Sequence, residues 1–307
     1  MTLGTTMRPL TLPVTTSMLF LTACASRGAE TNLRDELAVR NAPRREATLA
    51  SFAGQRVGDR SLLHHARAGT AWVVDGATSF EMVDGSEPGA KVYRGIADGK
   101  VVTSEIGAAA AISTDGYFLT AAHCIGTGRG LVIGAAPGRP ARECDAVLVW
   151  SGKTAKPPVD LAVVWAPGLD LAPFAWSTDR VAMSTPVLVS GSAARGLPMA
   201  GGEVVATDEL LRSILVDVPL LPGDSGGPCV LADGTLLGVV STAMLTEDKS
   251  LGRVLRPDPA WLEDLLTRDR ATRATQPRPT PRVSTAGTLR AMGIDPTIDR
   301  LVPTNPR

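Results

Sequence analysis

Gly223-Asp224-Ser225-Gly226-Gly227-Pro228 is the stretch on which the reading of this 307-residue chain turns. A serine in such a glycine-rich turn is set to attack a carbonyl carbon. The backbone N–H groups of Gly223 and Ser225 can converge on the oxyanion that forms. Gly223 admits a backbone conformation that a side chain would resist. A serine hydroxyl is a weak nucleophile by itself, so the stretch demands a histidine base upstream and an acid to orient it.

The choice is narrow, because the chain has only 3 histidines, His64, His65 and His123. His123 lies in Thr120-Ala121-Ala122-His123-Cys124, just after the strand-like run Gly116-Tyr117-Phe118-Leu119. Asp160 opens the apolar run Leu161-Ala162-Val163-Val164-Trp165, which reads as a buried strand. Asp145 competes for the acid role, since it too opens an apolar run, Ala146-Val147-Leu148-Val149-Trp150. Adjacent His64 and His65 invite a metal, but no Cys, Asp or Glu cluster near them completes a site. A solvated helix end or loop is the plainer reading of that pair, and neither a metal nor another cofactor is expected.

The three motifs, in the order His, Asp, Ser, resemble those of the trypsin-like (chymotrypsin-fold) serine peptidases. Asp160-Leu161-Ala162-Val163-Val164 matches the family's acid motif better than the run at Asp145 does. The resemblance implies a catalytic triad in which Ser225 attacks, His123 moves the proton and Asp160 holds the imidazole, with Gly223 and Ser225 forming the oxyanion hole. It implies that Ser241, in Gly238-Val239-Val240-Ser241, hydrogen-bonds the triad acid. Thr242 and Ala243 would then border the primary specificity pocket. Relatives that cut after Lys or Arg carry an aspartate where this chain has Pro219, and Glu-specific relatives carry a histidine where it has Val240. Pro219, Leu220 and Ala243 together lead us to expect a pocket for small or medium apolar side chains. In digestive relatives the aspartate before the serine is neutralised by a new N-terminus made by cleavage. No activation sequence stands ahead of the expected domain here. Asp224 therefore calls for an internal partner, an arginine or loop donors, because a buried carboxylate without one is costly. A latent enzyme is the alternative.

From about Ala71 short apolar runs alternate with Gly, Asp and Pro turns, among them Ala71-Trp72-Val73-Val74, Leu131-Val132-Ile133 and Pro186-Val187-Leu188-Val189. Many short strands of this kind predict an all-β barrel or sandwich. The resemblance sharpens that to two packed six-stranded antiparallel β-barrels, with His123 and Asp160 on the first and Ser225 on the second. Asp258 and Pro259 open a helix whose apolar stripe is Trp261, Leu262, Leu265 and Leu266. It is expected to dock on the second barrel.

The ends of the chain bear on location. Arg8 precedes an apolar stretch, densest at Met18-Leu19-Phe20-Leu21, that is too short and too interrupted to span a bilayer. It ends in Leu21-Thr22-Ala23-Cys24, which resembles the lipobox of bacterial lipoproteins and implies cleavage before Cys24 and lipidation of its thiol. An ordinary secretory peptide with an incidental cysteine is the alternative. The expected organisation is thus a signal peptide at 1–23, a partly helical or disordered spacer at 24–68, a peptidase domain at 69–270 and a mostly disordered Pro/Arg/Thr-rich tail at 271–307. Such a tail is too short for the PDZ module of HtrA-type relatives. Of the 4 cysteines, Cys124, Cys144 and Cys229 remain after Cys24. The family's usual partner for Cys124 is replaced by Ala108, which leaves a Cys124–Cys144 bridge or buried thiols as the two readings. Lys+Arg and Asp+Glu balance at 31 each, so nothing points to nucleic acid. The expectation is a serine endopeptidase of the bacterial cell envelope, anchored through Cys24 and acting on protein or peptide substrates. A catalytically silent binding or sensor lipoprotein of the same fold is the alternative.

Overall fold

The computed structural model describes residues 39–41, 43–76, 79–84, 91–97, 100–102, 106–135, 140–178, 180–191, 199–245 and 250–284. The signal-like segment with Cys24 lies outside them. So do Leu33 and Leu37, whose spacing suggests a short helix, and the tail beyond 284.

Twelve of the strands form two closed antiparallel barrels, as the resemblance implied. The first comprises β3 (Thr70–Asp75), β7 (Ile106–Ala111), β8 (Tyr117–Thr120), β9 (Arg129–Gly134), β10 (Arg142–Ser151) and β11 (Ala162–Trp165). Their order is β11-β8-β7-β3-β9-β10, and β10 pairs back onto β11 to close the ring. The second comprises β12 (Pro186–Ser190), β13 (Met199–Asp208), β14 (Ser213–Asp217), β15 (Pro228–Leu231), β16 (Leu236–Leu245) and β17 (Ser250–Leu255), in the order β12-β13-β14-β17-β16-β15. Ahead of the first barrel lie a helix at 43–50 (α1), a hairpin of β1 (Arg56–Val57) and β2 (Arg60–Ser61), and α2 (Leu62–Ala68). A separate sheet of β4 (Ser79–Asp84), β5 (Lys91–Ala97) and β6 (Lys100–Val102) fills the connection from β3 to β7.

Successive residues of a strand face opposite ways, and here both faces are needed. In β11, Ala162 and Val164 fill the first barrel with Val73, Phe118 and Val132. Val163 and Trp165 face out, into a second apolar layer that holds Leu188, Met199 and Val239 of the other barrel and Leu262 and Leu266 of the C-terminal helix. Both faces of β11 are therefore buried, which is why its sequence is an unbroken apolar run. Val187, Val189, Val204, Val216 and Val240 fill the second barrel.

Three sequence expectations meet a different structure. Residues 43–68 are not a spacer: Leu49, Phe52, Leu62, Leu63 and Ala66 are buried in the layer between the barrels, and Ser61 caps α2 by accepting from the His64 N–H. The charged composition of 24–68 hides those few apolar anchors. The C-terminal helix, α3 (Pro259–Arg273), does not dock on the second barrel alone: its apolar residues share a layer with both barrels, and its aromatic and polar side chains grip the first. Trp261 meets Trp150 edge to face at 4.6 Å, the Tyr117 hydroxyl donates to Asp269 at 2.9 Å, and Arg270 grips Asp115 at 2.8 Å. An apolar stripe marks a docking face but not its partner. The described part of the tail, 271–284, is tied to the first barrel, because β18 (Arg282–Val283) extends β10. Arg282 and Ser284 donate to the buried Glu143 carboxylate at 2.6 and 2.9 Å, supplying the counter-charge that its burial requires. Of the two readings for the remaining cysteines, the structure has the second: Cys124, Cys144 and Cys229 are buried free thiols. Burial, with help from the Asp145 charge, pushes Cys144 up to about 11. Burial alone pushes Cys229 up to about 12.

Candidate active site

The chain direction of β8 and β11 places the first two candidates together. These strands pair antiparallel, with Thr120 opposite Ala162. His123 lies in the 3₁₀ turn Ala122–Ile125 just beyond the end of β8, and Asp160 lies just before the start of β11. His123 Nδ1 is 2.8 Å from Asp160 Oδ2, and the His123 backbone N–H donates to Asp160 Oδ1 at 2.9 Å. A third donor comes from the other barrel: the Ser241 hydroxyl reaches Asp160 Oδ2 at 2.7 Å from β16. The carboxylate is thus fixed at both oxygens. A proton on Nδ1 shared with Asp160 leaves Nε2 as the basic nitrogen.

The electrostatics follow from these contacts. Burial disfavours the charge on His123, but the Asp160 hydrogen bond, the neighbouring Cys124 and the Asp160 charge together outweigh it and raise the imidazole above its ordinary value. Burial likewise acts against the Asp160 charge, yet His123 and Ser241 hold the carboxyl below the usual range. Asp145, the competing acid, lies exposed on β10 and pairs with Arg282 at 3.2 Å.

Ser225 occupies the turn that leads into β15, and the turn is wedged between the barrels. Its carbonyl accepts from the Ala108 N–H at 2.7 Å and from Cys124 Sγ at 3.4 Å, so it abuts the residue next to His123. Gly226 has φ +78°. A Cβ there would stand 2.1 Å from the Ala108 carbonyl oxygen and 2.2 Å from Thr120 Oγ1, so a side chain would force the barrels apart. Gly223 has φ +100°, a region that only glycine enters at little cost. Asp224, only 1% exposed, points away from the cleft into the protein. There it meets Arg45 of α1, also 1% exposed, with Nη1–Oδ2 2.5 Å and Nη2–Oδ1 3.3 Å.

Pro219 is buried, and its carbonyl accepts from Arg45 at 3.0 Å. Thr242 and Ala243 continue β16 beyond Ser241, partly exposed, and Ala243 stands opposite Gly252 of β17. A Cβ on Gly252 would meet Leu220 Cδ1 at 2.7 Å, so Leu220 lies directly against this strand pair. His64 and His65 sit apart from the site on α2, where the His65 ring packs edge-on to Phe174 at 5.5 Å and its Nε2 lies 3.0 Å from the Gly234 carbonyl. No group of three His, Cys, Asp or Glu side chains among the described residues could hold a metal ion.

Sequence reasoning asked for a partner to Asp224 but did not identify Arg45, and it missed Asn41 and Gly252. Arg45 sits in Pro43-Arg44-Arg45-Glu46, where nothing local separates it from solvated neighbours. Only its spacing from Leu49, on the buried side of the same helix, could have singled it out.

Two six-stranded barrels that share a histidine, an aspartate and a serine turn across their seam define a chymotrypsin-like fold. Residues 107–239 match the family model described as a trypsin-like peptidase domain. Among solved structures it is similar to the serine endoprotease from Yersinia pestis, at 21% identity over 68% of this chain and 66% of that one, with a TM-score of 0.48. It is similar to the HtrA-type protease AlgW with a tripeptide, at 22% identity over 69% and 64%, with a TM-score of 0.49. It is also similar to the Rv3671c protease from M. tuberculosis in its active form, at 18% identity over 67% and 82%, with a TM-score of 0.48. The chain thus spans about two thirds of the length of the first two. A search of curated proteins gives no match.

Proposed function

We propose that this protein is a serine endopeptidase that hydrolyses peptide bonds of envelope or secreted proteins through an acyl-enzyme. The observation that carries the reading is the His123–Asp160 contact at 2.8 Å, locked from the second barrel by Ser241 at 2.7 Å. In this reading His123 Nε2 takes the Ser225 hydroxyl proton as Oγ bonds to the scissile carbonyl carbon. The carbonyl electrons move to oxygen, where the Gly223 and Ser225 amides receive the charge. His123 then protonates the leaving amine as the C–N bond breaks. Water, deprotonated by the same imidazole, cleaves the ester and returns Ser225 to its starting state. Asp160 stays ionised and holds the imidazolium, in keeping with its lowered carboxyl.

The substrate pocket is bounded in this account by Pro219, Leu220, Thr242, Ala243 and Gly252, which present no charge to a side chain before the cut and favour small or medium apolar ones. Leu21-Thr22-Ala23-Cys24 supports a lipid anchor on Cys24 that tethers the enzyme to the outer face of a membrane. No helix among the described residues is long and apolar enough to cross one. The test is turnover of a peptide library by the full-length protein beside Ser225→Ala. Cleavage after small or medium apolar residues that the variant lacks supports the account. Preference for Lys, Arg or Glu refutes the pocket assignment. No cleavage by folded protein favours the silent binding or sensor lipoprotein.

A further inference from the structure

On the peptidase reading just given, we propose that Arg45 is the positioning residue of the catalytic turn. It is an internal cation, carried by α1, that holds the Gly223 and Ser225 amides in place through Asp224, so no cleavage of the chain is needed to form the oxyanion site.

The turn is built around the Asp224 carboxylate. Oδ2 accepts from Arg45 Nη1 at 2.5 Å and from the Leu221 N–H at 2.8 Å, and Oδ1 accepts from Arg45 Nη2 at 3.3 Å. The Asp224 N–H donates to the Leu221 carbonyl at 3.0 Å, and its own carbonyl accepts from Gly227 at 2.9 Å. The two amides that would bind an oxyanion flank this residue on either side. The space that receives the carboxylate exists because residue 191 is glycine: a Cβ on Gly191 would lie 2.0 Å from Asp224 Oδ1. A carboxylate in such a place is held by its counter-charge. Without Arg45, the relief open to Asp224 is to swing towards water. That swing rotates the peptide units on both sides and carries the amides off the oxyanion position.

The same helical segment also supports the pocket. Arg45 Nη1 donates to the Pro219 carbonyl at 3.0 Å. Asn41, one helical turn earlier, donates to the Leu220 carbonyl at 2.7 Å and to Ser250 Oγ at 3.1 Å. The helix is itself fixed to the second barrel. Leu49 and Phe52 are buried, the Gly201 N–H donates to Thr48 Oγ1 at 3.1 Å, and Arg44 pairs with Asp217 at 3.1 Å. The cation is therefore delivered on a docked element and not on a loose strand. This makes activity contingent on 43–50 remaining seated.

The experiment compares full-length wild type, Arg45→Met, Arg45→Lys and the double variant Arg45→Met/Asp224→Asn. Peptide turnover and the rate of fluorophosphonate labelling are measured, with thermal melting to establish that each is folded. Met keeps the aliphatic bulk and removes the charge. It is expected to lower kcat by about 10²–10³-fold, the scale of losing one oxyanion donor, with KM changed only a few-fold. Arg45→Lys recovers part of the loss, since the ammonium keeps the charge but not the paired geometry. The double variant leaves no uncompensated buried charge, so it folds even if Arg45→Met does not. Its kcat stays at least about tenfold down, because the link from α1 to the turn is gone. Wild-type kcat in either folded variant, or a loss confined to KM, overturns the proposal while the peptidase reading stands. An inactive, unlabelled wild type instead overturns the peptidase reading, and the proposal with it.

Discussion

In the proposed reaction His123 and Asp160 divide the work at the scale of single atoms, and their protonation would set its pH dependence. The imidazole must be neutral to accept the serine proton. Its pKa is raised in the folded protein, so it remains protonated to higher pH than an ordinary histidine. Turnover is therefore expected to climb with pH along a limb lying above about 6.5, the ordinary histidine value. Asp160→Asn removes the charge that raises it. We expect a fall of about 10⁴-fold in kcat, with the limb of the residual activity moved to lower pH. An unmoved limb would assign that titration to another group. Gly226 makes a second claim at this scale. Alanine there takes a positive φ and presses on the Ala108 carbonyl, so Gly226→Ala should cost about 2–5 kcal/mol of stability, read from denaturant melts. The triad candidates were legible because each sits in a short motif with few competitors, and the chain has only 3 histidines. Arg45 was not legible, because an ion pair spanning residues 45 and 224 leaves no local pattern.

Elements gave a mixed reading for physical reasons. Strands such as β11 were visible as apolar runs because both their faces are buried. The start of α3 was visible from Asp258, which caps it, and from Pro259. Its partner was not, since the stripe of Trp261, Leu262 and Leu266 fits any apolar surface. What selects the first barrel is polar pairing across the helix, Asp269 with Tyr117 and Arg270 with Asp115. Leu266 is buried in the layer between helix and barrels. Leu266→Ala should therefore lower stability by about 2–5 kcal/mol in thermal or urea melts. A loss below about 0.5 kcal/mol would mean that α3 does not dock as described. Residues 43–68 and 271–284, which fall in the stretches read as spacer and tail, hid their contacts in the same way. A few anchors, Leu49 and Phe52 on one side and Arg282 on the other, tie charged segments to the barrels.

At the scale of the whole molecule, the described residues are built on two barrels whose seam holds the candidate site, and the seam was implied by family resemblance more than by pattern. Alternation of short strands predicts a barrel or sandwich but not which strands close it. No disulfide joins the described residues. With Cys24 lipidated as proposed, we therefore expect the unfolded chain to release three titratable thiols, from Cys124, Cys144 and Cys229, without reductant, and dithiothreitol to leave the melting temperature unchanged. Fewer than three would mean a bridge. Cys24→Ser should move the protein from the membrane to the soluble fraction, and an unchanged distribution would remove the lipid-anchor proposal.

The central claim is that Ser225 is a nucleophile activated by His123. The most direct measurement is mass spectrometry of the full-length protein after reaction with a fluorophosphonate probe. The account predicts a single adduct on Ser225, absent from Ser225→Ala and strongly reduced in His123→Ala. An unlabelled Ser225 in folded protein, or labelling that survives the loss of His123 undiminished, would contradict it.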